Sequence, residues 1–262
     1  MEAKELASAA SGKGGGFMAR SWGDGSPTQT LHHLGFDMYE DLAEKLGCSS
    51  YRKLPVLSVS PGKGGVESIK KQNKDVLKDI LPSWLDGNCG RISPMGYGDD
   101  TAQITPIEFT HKLIQGGGDA IEVVLGTCTG VQTEEIDGSS SIERRVTGIT
   151  YKPRCTNEND ENIEKELKCD ALIVSAGPWS CAAEDWFDGA VSLPMEGVKS
   201  TSIVWKAPSD EKNIDATALF CGEDYRFGTH RKYQWINHHF MRFLPFFVLF
   251  LLRIWKYYFK TL

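Results

Sequence analysis

Apolar residues spaced three and four apart predict an amphipathic helix in the first fifth of the chain. Ser26 is suited to the N-cap and Pro27 to the first helical position, while Gly47 provides a stop. The residues expected to form its buried face are Leu31, Leu34, Met38, Leu42 and Leu46.

A second helix is predicted from a capping box. Thr105 is followed by Pro106 and, at the third helical position, by Glu108, the arrangement in which a Glu side chain returns to the N-cap. Its expected buried side is Phe109, Leu113 and Ile114, and the glycines at 116–118 end it.

Short apolar runs separated by turn residues predict the strands. Another amphipathic stretch surrounds Ile69, Val76 and Ile80, and the acidic residues 157–168 suggest an exposed hairpin tip. Strands alternating with two or three helices indicate a mixed α/β or α+β fold. The predicted strands are 54–59, 121–125, 131–136, 146–151, 171–175, 201–205 and 217–221.

The C-terminal segment has a different character. Residues 243–252 are uncharged and apolar, about half of the roughly 20 residues that a bilayer-spanning helix needs. Extending the run to Phe240 and Trp255 takes in Arg242, Arg253 and Pro245, and both arginines could reach lipid headgroups. Two interpretations stay open: membrane contact through residues 240–255, or a tail that belongs to no folded unit.

Composition narrows the class of protein. Hydrophobic residues make up 40% and charged residues 24%, which excludes a wholly disordered chain. A formal net charge of −6 argues against nucleic acid as the main partner. The seven cysteines are scattered without a Cys-x-x-Cys pair, and the N-terminus is polar. We therefore expect reduced thiols, no metal site and a cytoplasmic location, with membrane association only through the C-terminal segment.

Two segments have a sequence pattern that is typical of main-chain contacts with a cofactor. At 170–180 an apolar run ends in Ala176 and Gly177, with a helix expected at or just after Pro178, which directs main-chain N–H groups toward an anion or a flavin oxygen. At 11–16 a glycine cluster lets a ligand approach the main chain. Ordinary strand–turn packing and a flexible terminus are the respective alternatives.

Taken in order, these segments resemble the glycine/D-amino-acid oxidase (DAO) family of FAD-dependent oxidoreductases. The similarity covers most of the chain and rests on the order of soft motifs: the loop after the second strand, a Q-x-x-P helix entry, the adenine-side strand and hairpin, the V-x-A-A-G-x-W-S turn, and the start of the substrate-side sheet. They correspond here to ASGKGGGF at 10–17, QITPIEF at 103–109, GVQ at 130–132 with VTGI at 146–149, ALIVSAGPWS at 171–180 and LPMEG at 193–197.

The resemblance implies a partial FAD/NAD(P)-binding-type domain with part of an antiparallel substrate-side sheet. The expected division is a partial FAD-binding domain at 1–190 with substrate-side elements inserted at 50–100. The start of the substrate-domain sheet follows at 191–228, and the atypical apolar tail at 235–262.

A departure from the family pattern concerns the cofactor. The Gly-x-Gly-x-x-Gly turn that opens the family occurs nowhere in the sequence, so the chain is expected to lack that first unit, and FAD binding to be weakened or lost. A non-catalytic remnant held at a membrane by its C-terminal segment is therefore the alternative function. An unrelated α/β binding module is a further one.

The chemistry implied by the resemblance is flavin-dependent hydride removal from a C–N bond of a small amine or amino acid. Residues expected to line the flavin are Ser11, Gly12, Gly15 and Gly16; Val131 would lie on the adenine side, and Ala176, Gly177 and Trp179 along the dinucleotide. No residue is assigned as the catalytic base. His32 and His33 are interpreted as exposed or capping-turn residues of the Ser26 helix, and Asp99 and Asp100 as solvated acids of a glycine-rich loop.

Overall fold

The computed structural model describes residues 1–61, 74–85, 89–136, 144–154, 163–187, 189–195, 197 and 214–221. The chain divides into two compact units. The larger unit comprises residues 14–112 and 201–262, and the smaller unit residues 1–13 and 113–200.

The described helices and strands confirm a mixed α and β fold. The helices are α1 Ala10–Lys13, α2 Gln29–Leu46, α3 Lys74–Leu77 and α4 Pro106–Gly117. The strands are β1 Phe17–Ala19, β2 Arg52–Lys53, β3 Val56–Pro61, β4 Cys89–Gly96, β5 Thr101–Gln103, β6 Gly126–Glu135, β7 Arg144–Pro153, β8 Lys165–Lys168 and β9 Ala218–Cys221.

Two three-stranded sheets form the larger unit. One has the order β1-β5-β2 and is antiparallel throughout. The other has the order β4-β3-β9, in which β3 pairs antiparallel with β4 and parallel with β9. The prediction at 217–221 is confirmed by β9. The predicted strand at 54–59 is confirmed over 56–59, which belong to β3, whereas Leu54 and Pro55 lie in the gap between β2 and β3.

Each sheet of the larger unit has its own apolar core. Beside β3 and β4 the buried side chains are Leu57, Val59, Leu77, Leu85 and Ile92. Ala43 of α2, Ile104 after β5 and Phe109 of α4 form the second core. Helices α2 and α4 are thereby fixed at the β1-β5-β2 sheet.

Helix α2 confirms the predicted stop but not the predicted face. Gly47 adopts a left-handed conformation with φ 65°, and its N–H reaches the last carbonyls of the helix. The helix starts at Gln29, two residues after Pro27. Leu31, Leu34 and Met38 are 68%, 55% and 49% exposed, so the predicted buried face is wrong over its first half. The reason is that α2 packs through its C-terminal half, where Tyr39, Leu42, Ala43 and Leu46 contact the second core.

The capping box of α4 has a different partner from the predicted one. Glu108 accepts hydrogen bonds from the main-chain N–H and the hydroxyl of both Ser49 and Ser50, and the N–H of Thr105 donates to the Ser50 hydroxyl at 2.9 Å. The loop after α2 therefore caps α4. Phe109 is buried as predicted, whereas Leu113 is 38% exposed.

The smaller unit contains the antiparallel sheet β6-β7-β8 and a 3-10 helix at Gly177–Phe187. Strands β6 and β7 confirm the predictions at 131–136 and 146–151. Residues 121–125 form no strand; Leu125 makes a single bridge with Glu2. Within the acidic stretch 157–168, β8 pairs with β7, and residues 157–162 lie outside the described residues.

The predicted strand at 171–175 is wrong. No described strand pairs with it, and Ile173 is 88% exposed. An apolar run becomes a strand only where a neighbouring strand completes its main-chain hydrogen bonds. The predicted strand at 201–205 and Ile69 of the predicted amphipathic stretch lie outside the described residues.

No helix in the described part of the chain is long and apolar enough to cross a membrane. The segment at 240–255, for which membrane contact was predicted, lies outside that part.

Candidate functional site

A tight glycine turn precedes β1 in the larger unit. Gly16 has φ +65°, and its carbonyl accepts a hydrogen bond of 3.0 Å from the Ile104 N–H. A Cβ on Gly16 would lie 1.7 Å from the Ile104 carbonyl oxygen, so only glycine fits. Gly15, the glycine that precedes it in the turn, is buried.

The side chain of Gln103 ties this turn to β5. Its amide Nε2 donates to the Gly15 carbonyl at 3.3 Å, while its Oε1 accepts from Nε and Nη2 of Arg52 at 3.0 and 2.7 Å. Gln103 is the first residue of the Q-x-x-P segment, so the structure gives that motif a physical role. Both carbonyls of the Gly15–Gly16 pair therefore have donors, Gly15 from the Gln103 side chain and Gly16 from the Ile104 N–H.

The N–H groups of the same two glycines are the remaining polar groups of the turn. Neither Gly15 nor Gly16 donates a main-chain hydrogen bond to any residue that the structure describes. A buried N–H without an acceptor costs about 1–3 kcal/mol, which an acceptor atom of a bound group would recover. Adjacent N–H donors on a turn without side chains fit the carbonyl or ring-nitrogen acceptors of a flavin.

Three aromatic rings from three separate elements meet beside this turn. Phe17 of β1, Trp22 of the 3-10 turn Ser21–Gly23, and Phe220 of β9 have ring centroids 5.0–5.4 Å apart. Trp22 is 40% exposed. The three rings form an aromatic cluster that is accessible at Trp22. Its member Phe17 directly follows Gly16 in the sequence.

Ser11 and Gly12 belong to the smaller unit. They lie in α1, a single helical turn, so the prediction of a loop is wrong for residues 10–13. A Cβ on Gly12 would lie 2.0 Å from the Ala7 carbonyl oxygen, and this packing accounts for the glycine. Ser11 is exposed on the same turn.

The residues predicted along the dinucleotide share one turn of the smaller unit. The 3-10 helix begins at Gly177, as predicted for a helix start near Pro178, and the Trp179 N–H donates to the Ala176 carbonyl at 3.2 Å. Gly177 has φ +57° with no atom within 4 Å of a Cβ position, and Trp179 is 63% exposed. The 3-10 helix contacts β6, the strand in which Val131 pairs with Ile149.

The two units therefore fit a dinucleotide to different degrees. In the larger unit the Gly15–Gly16 turn offers main-chain donors beside aromatic rings. In the smaller unit the turn at Ala176 and Gly177 is exposed, but the run before it joins no sheet among the described residues. The strand–turn–helix arrangement that brings a phosphate to a helix N-terminus is consequently not assembled there.

Other polar candidates have structural partners. Asp100 accepts a hydrogen bond from the Ser21 hydroxyl, and its carbonyl accepts from the Arg20 N–H at 2.8 Å. His33 lies 2.7 Å from Asp24, an exposed pair near the start of α2. Burial raises the pKa of the Cys48 and Cys128 thiols, which opposes a nucleophilic role. In the described ranges no cluster of His, Cys, Asp and Glu could hold a metal ion.

Sequence reasoning missed Arg52, Trp22 and Phe220. Phe220 meets Phe17 because β9 pairs with β3 more than 150 positions earlier in the chain. Arg52 meets Gln103 through the pairing of β2 with β5. The apolar run at 217–221 was a signal for a strand, but nothing in it indicated which strand would be its neighbour.

The sequence is similar to a known family of proteins. The sequence profile described as "DAO: FAD dependent oxidoreductase" matches residues 1–235. The protein named "Putative oxidoreductase C1F5.03c" of Schizosaccharomyces pombe is 23% identical over 237 residues, which are 87% of this chain and 56% of that protein. "Putative oxidoreductase TDA3" of Saccharomyces cerevisiae is 28% identical over 182 residues, which are 62% of this chain and 32% of that protein. No solved structure matches the chain.

The chain thus spans about half the length of the first of these relatives and a third of the second. The profile covers most of the chain, which rules out the alternative of an unrelated α/β binding module. The motifs occur in the family's order and the profile matches residues 1–235. This chain therefore belongs to the DAO family of FAD-dependent oxidoreductases.

Proposed function

We propose that the chain takes part in the FAD-dependent oxidation of a small amine or amino acid at a C–N bond. The observation that carries the proposal is the pair of main-chain N–H groups at Gly15 and Gly16. They meet no acceptor among the described residues, while the carbonyls of the same glycines are held by Gln103 and Ile104. Such fixed donors are what a flavin needs from the protein.

FAD, when bound, supplies the hydride acceptor. The chain's own residues then have positioning roles. Gln103 keeps the Gly15 carbonyl turned away from the ligand, and Gly16 lets the ring system approach the main chain. Phe17, which follows Gly16 in the sequence, covers one side of the proposed flavin contact.

The predicted contacts of the smaller unit are proposed separately. Val131 would contact the adenine side and Ala176, Gly177 and Trp179 the remainder of the dinucleotide. Ser11 and Gly12 would contact the flavin. The exposure of Gly177 and Trp179 supports contact with a ligand, since neither is used in a core.

The test is reduction of protein-bound flavin by substrate. The purified chain would be loaded with FAD, deprived of oxygen, and mixed with a panel of amino acids and primary and secondary amines. We expect one class to bleach the visible band of oxidised flavin, with recovery when oxygen is admitted. Bound flavin that stays oxidised with every compound would contradict the proposed reaction.

A further inference from the structure

The segment at 171–175 of the smaller unit lacks hydrogen-bond partners along its main chain. No N–H or carbonyl of these five residues bonds to a residue that the structure describes. The preceding Cys169 still donates to the Thr147 carbonyl at 3.0 Å, so the chain leaves the β6-β7-β8 sheet directly before the segment. Five consecutive residues thus present main-chain donors and acceptors that another strand could use.

The side chains of this segment alternate in exposure. Leu172 and Val174 are half-buried, whereas Ala171, Ile173 and Ser175 are exposed, Ile173 by 88%. A period of two is typical of an extended backbone that has one side against its own unit. The segment therefore has the geometry of a strand that finds no neighbouring strand among the described residues.

The outer strand of the β6-β7-β8 sheet shows how an edge is kept free. Strand β8 has the sequence Lys-Glu-Leu-Lys at 165–168, and all four residues are exposed. Charged side chains on an edge strand, lysine above all, oppose pairing with another chain. The segment 171–175 contains no charged residue, and its central Ile173 is β-branched and apolar. It therefore lacks the protection that β8 has.

A second copy of the chain matches this segment in a particular register. Identical segments related by a two-fold axis pair antiparallel. Their exposed sides coincide only if a residue lies on the axis, since a shift by one residue would place exposed residues opposite half-buried ones. With Ile173 on the axis, Ala171 lies opposite Ser175. Leu172 then lies opposite Val174, so every pair within the segment is uncharged.

The two neighbouring registers are less favourable. An axis at Leu172 would place the Asp170 carboxylate opposite the half-buried Val174. An axis at Val174 would place Asp170 opposite Pro178, which has no N–H to donate. The register centred on Ile173 avoids both.

We propose that two copies of the chain associate through residues 171–175, paired antiparallel about a two-fold axis at Ile173. Each copy gives the other the neighbouring strand that it lacks, directly before the turn at Ala176 and Gly177. Main-chain hydrogen bonds supply the attraction, as they do when a strand is added to the edge of a sheet. Two strands of this length form an interface below the roughly 1,200 Å² typical of stable complexes, so we expect a weak dimer.

Disulfide trapping in the full chain under mild oxidation tests the register. Leu167→Cys is the matched control, because it places a thiol on the exposed strand β8 of the same unit and reports random collision and the native cysteines. Ile173→Cys should form a linked dimer at least about tenfold faster than this control. Directly opposite residues lie about 4.5–5.5 Å apart between Cα atoms, which is within the range of a disulfide.

Two further cysteine variants separate the proposed register from simple proximity. Ala171→Cys and Ser175→Cys should each crosslink no faster than the Leu167→Cys control, because four positions along a strand are roughly 13 Å. Mixed together, the two variants should form a linked dimer, since position 171 of one copy lies opposite position 175 of the other.

Sedimentation velocity over a range of concentrations tests the association without a covalent bond. The dissociation constant of the wild-type dimer should rise at least about tenfold in Ile173→Lys, because two lysines would face each other across the axis and the apolar pair is lost. Leu167→Lys adds the same charge to β8 and should change the constant less than about twofold.

Crosslinking of Ile173→Cys no faster than that of Leu167→Cys would overturn the inference, as would a chain that stays monomeric at every concentration. Crosslinking of Ala171→Cys alone at the rate of Ile173→Cys would show that the segments meet in no fixed register, and would overturn it too. FAD is omitted throughout, so flavin binding, on which the proposed function depends, does not decide either measurement.

Discussion

The glycine at position 16 is fixed by two separate constraints, a left-handed φ of +65° and the 1.7 Å that would separate an added Cβ from the Ile104 carbonyl oxygen. Gly25 also has a left-handed φ, of +79°, but no atom lies within 4 Å of a Cβ added there. Gly16→Ala should therefore lower the free energy of unfolding by at least about 2 kcal/mol, and Gly25→Ala by about 1 kcal/mol. Urea denaturation of both variants checks this. Equal losses would show that the β1–β5 packing around Gly16 is wrong.

Glu108 gives a prediction with a defined pH range. Its hydrogen bonds from Ser50 and Ser49 lower its pKa from the usual 4.5 to about 2. A carboxylate with a depressed folded-state pKa stabilises the fold fully above the unfolded value, and this contribution is lost as the pH falls from 4.5 toward 2. Glu108→Gln should lower the free energy of unfolding by about 1 kcal/mol at pH 7. The loss is kept small because Glu108 is partly exposed and solvent screens its charge.

The same variant provides the control. The difference in urea midpoint between wild type and Glu108→Gln should shrink as the pH is lowered through that range. A difference that stays constant down to the acid limit would mean that Glu108 contributes by packing and not as a carboxylate.

Single residues of the candidate site were predictable only where the signal is local. The glycine cluster and Gln103 of the Q-x-x-P segment stand out in the sequence, and in the structure the Gln103 side chain donates a hydrogen bond to the Gly15 carbonyl. Arg52 has no local signal. Its proximity to Gln103 depends on strand register, which follows from pairing between segments some 50 positions apart.

Helix ends and helix faces differ in how far the sequence determines them. The stop of α2 at Gly47 is a property of one residue and was predicted correctly. Its buried face depends on what packs against it, and the apolar positions Leu31, Leu34 and Met38 face outward. The run at 171–175 failed as a strand for the same reason, since pairing is a property of two segments.

A comparison of two leucines tests this packing at the level of elements. Leu57 of β3 is fully buried and Leu31 of α2 is 68% exposed. Leu57→Ala should cost about 2–5 kcal/mol of unfolding free energy, and Leu31→Ala less than about 0.5 kcal/mol. A large loss for Leu31→Ala would show that another part of the protein covers the first half of α2.

At the scale of the whole molecule, the predicted cofactor residues are distributed over both compact units. Gly15 and Gly16 belong to the larger, and Ser11, Gly12, Val131, Ala176, Gly177 and Trp179 to the smaller. Family membership follows from the match over residues 1–235. The predicted domain limits at 190, 228 and 235 remain predictions. Contact with a membrane through residues 240–255 also remains a prediction, because those residues lie outside the described ranges.

The central claim is that the Gly15–Gly16 turn, held by Gln103, contacts the flavin. The most direct measurement is titration of the purified chain with FAD, followed by gel filtration and the visible spectrum. Wild type and the exposed-helix control Gln115→Leu should retain a perturbed flavin band, and Gln103→Leu should bind about tenfold more weakly, as expected for loss of one positioning hydrogen bond. A wild-type chain that emerges colourless, or equal affinity in Gln103→Leu, would contradict the account.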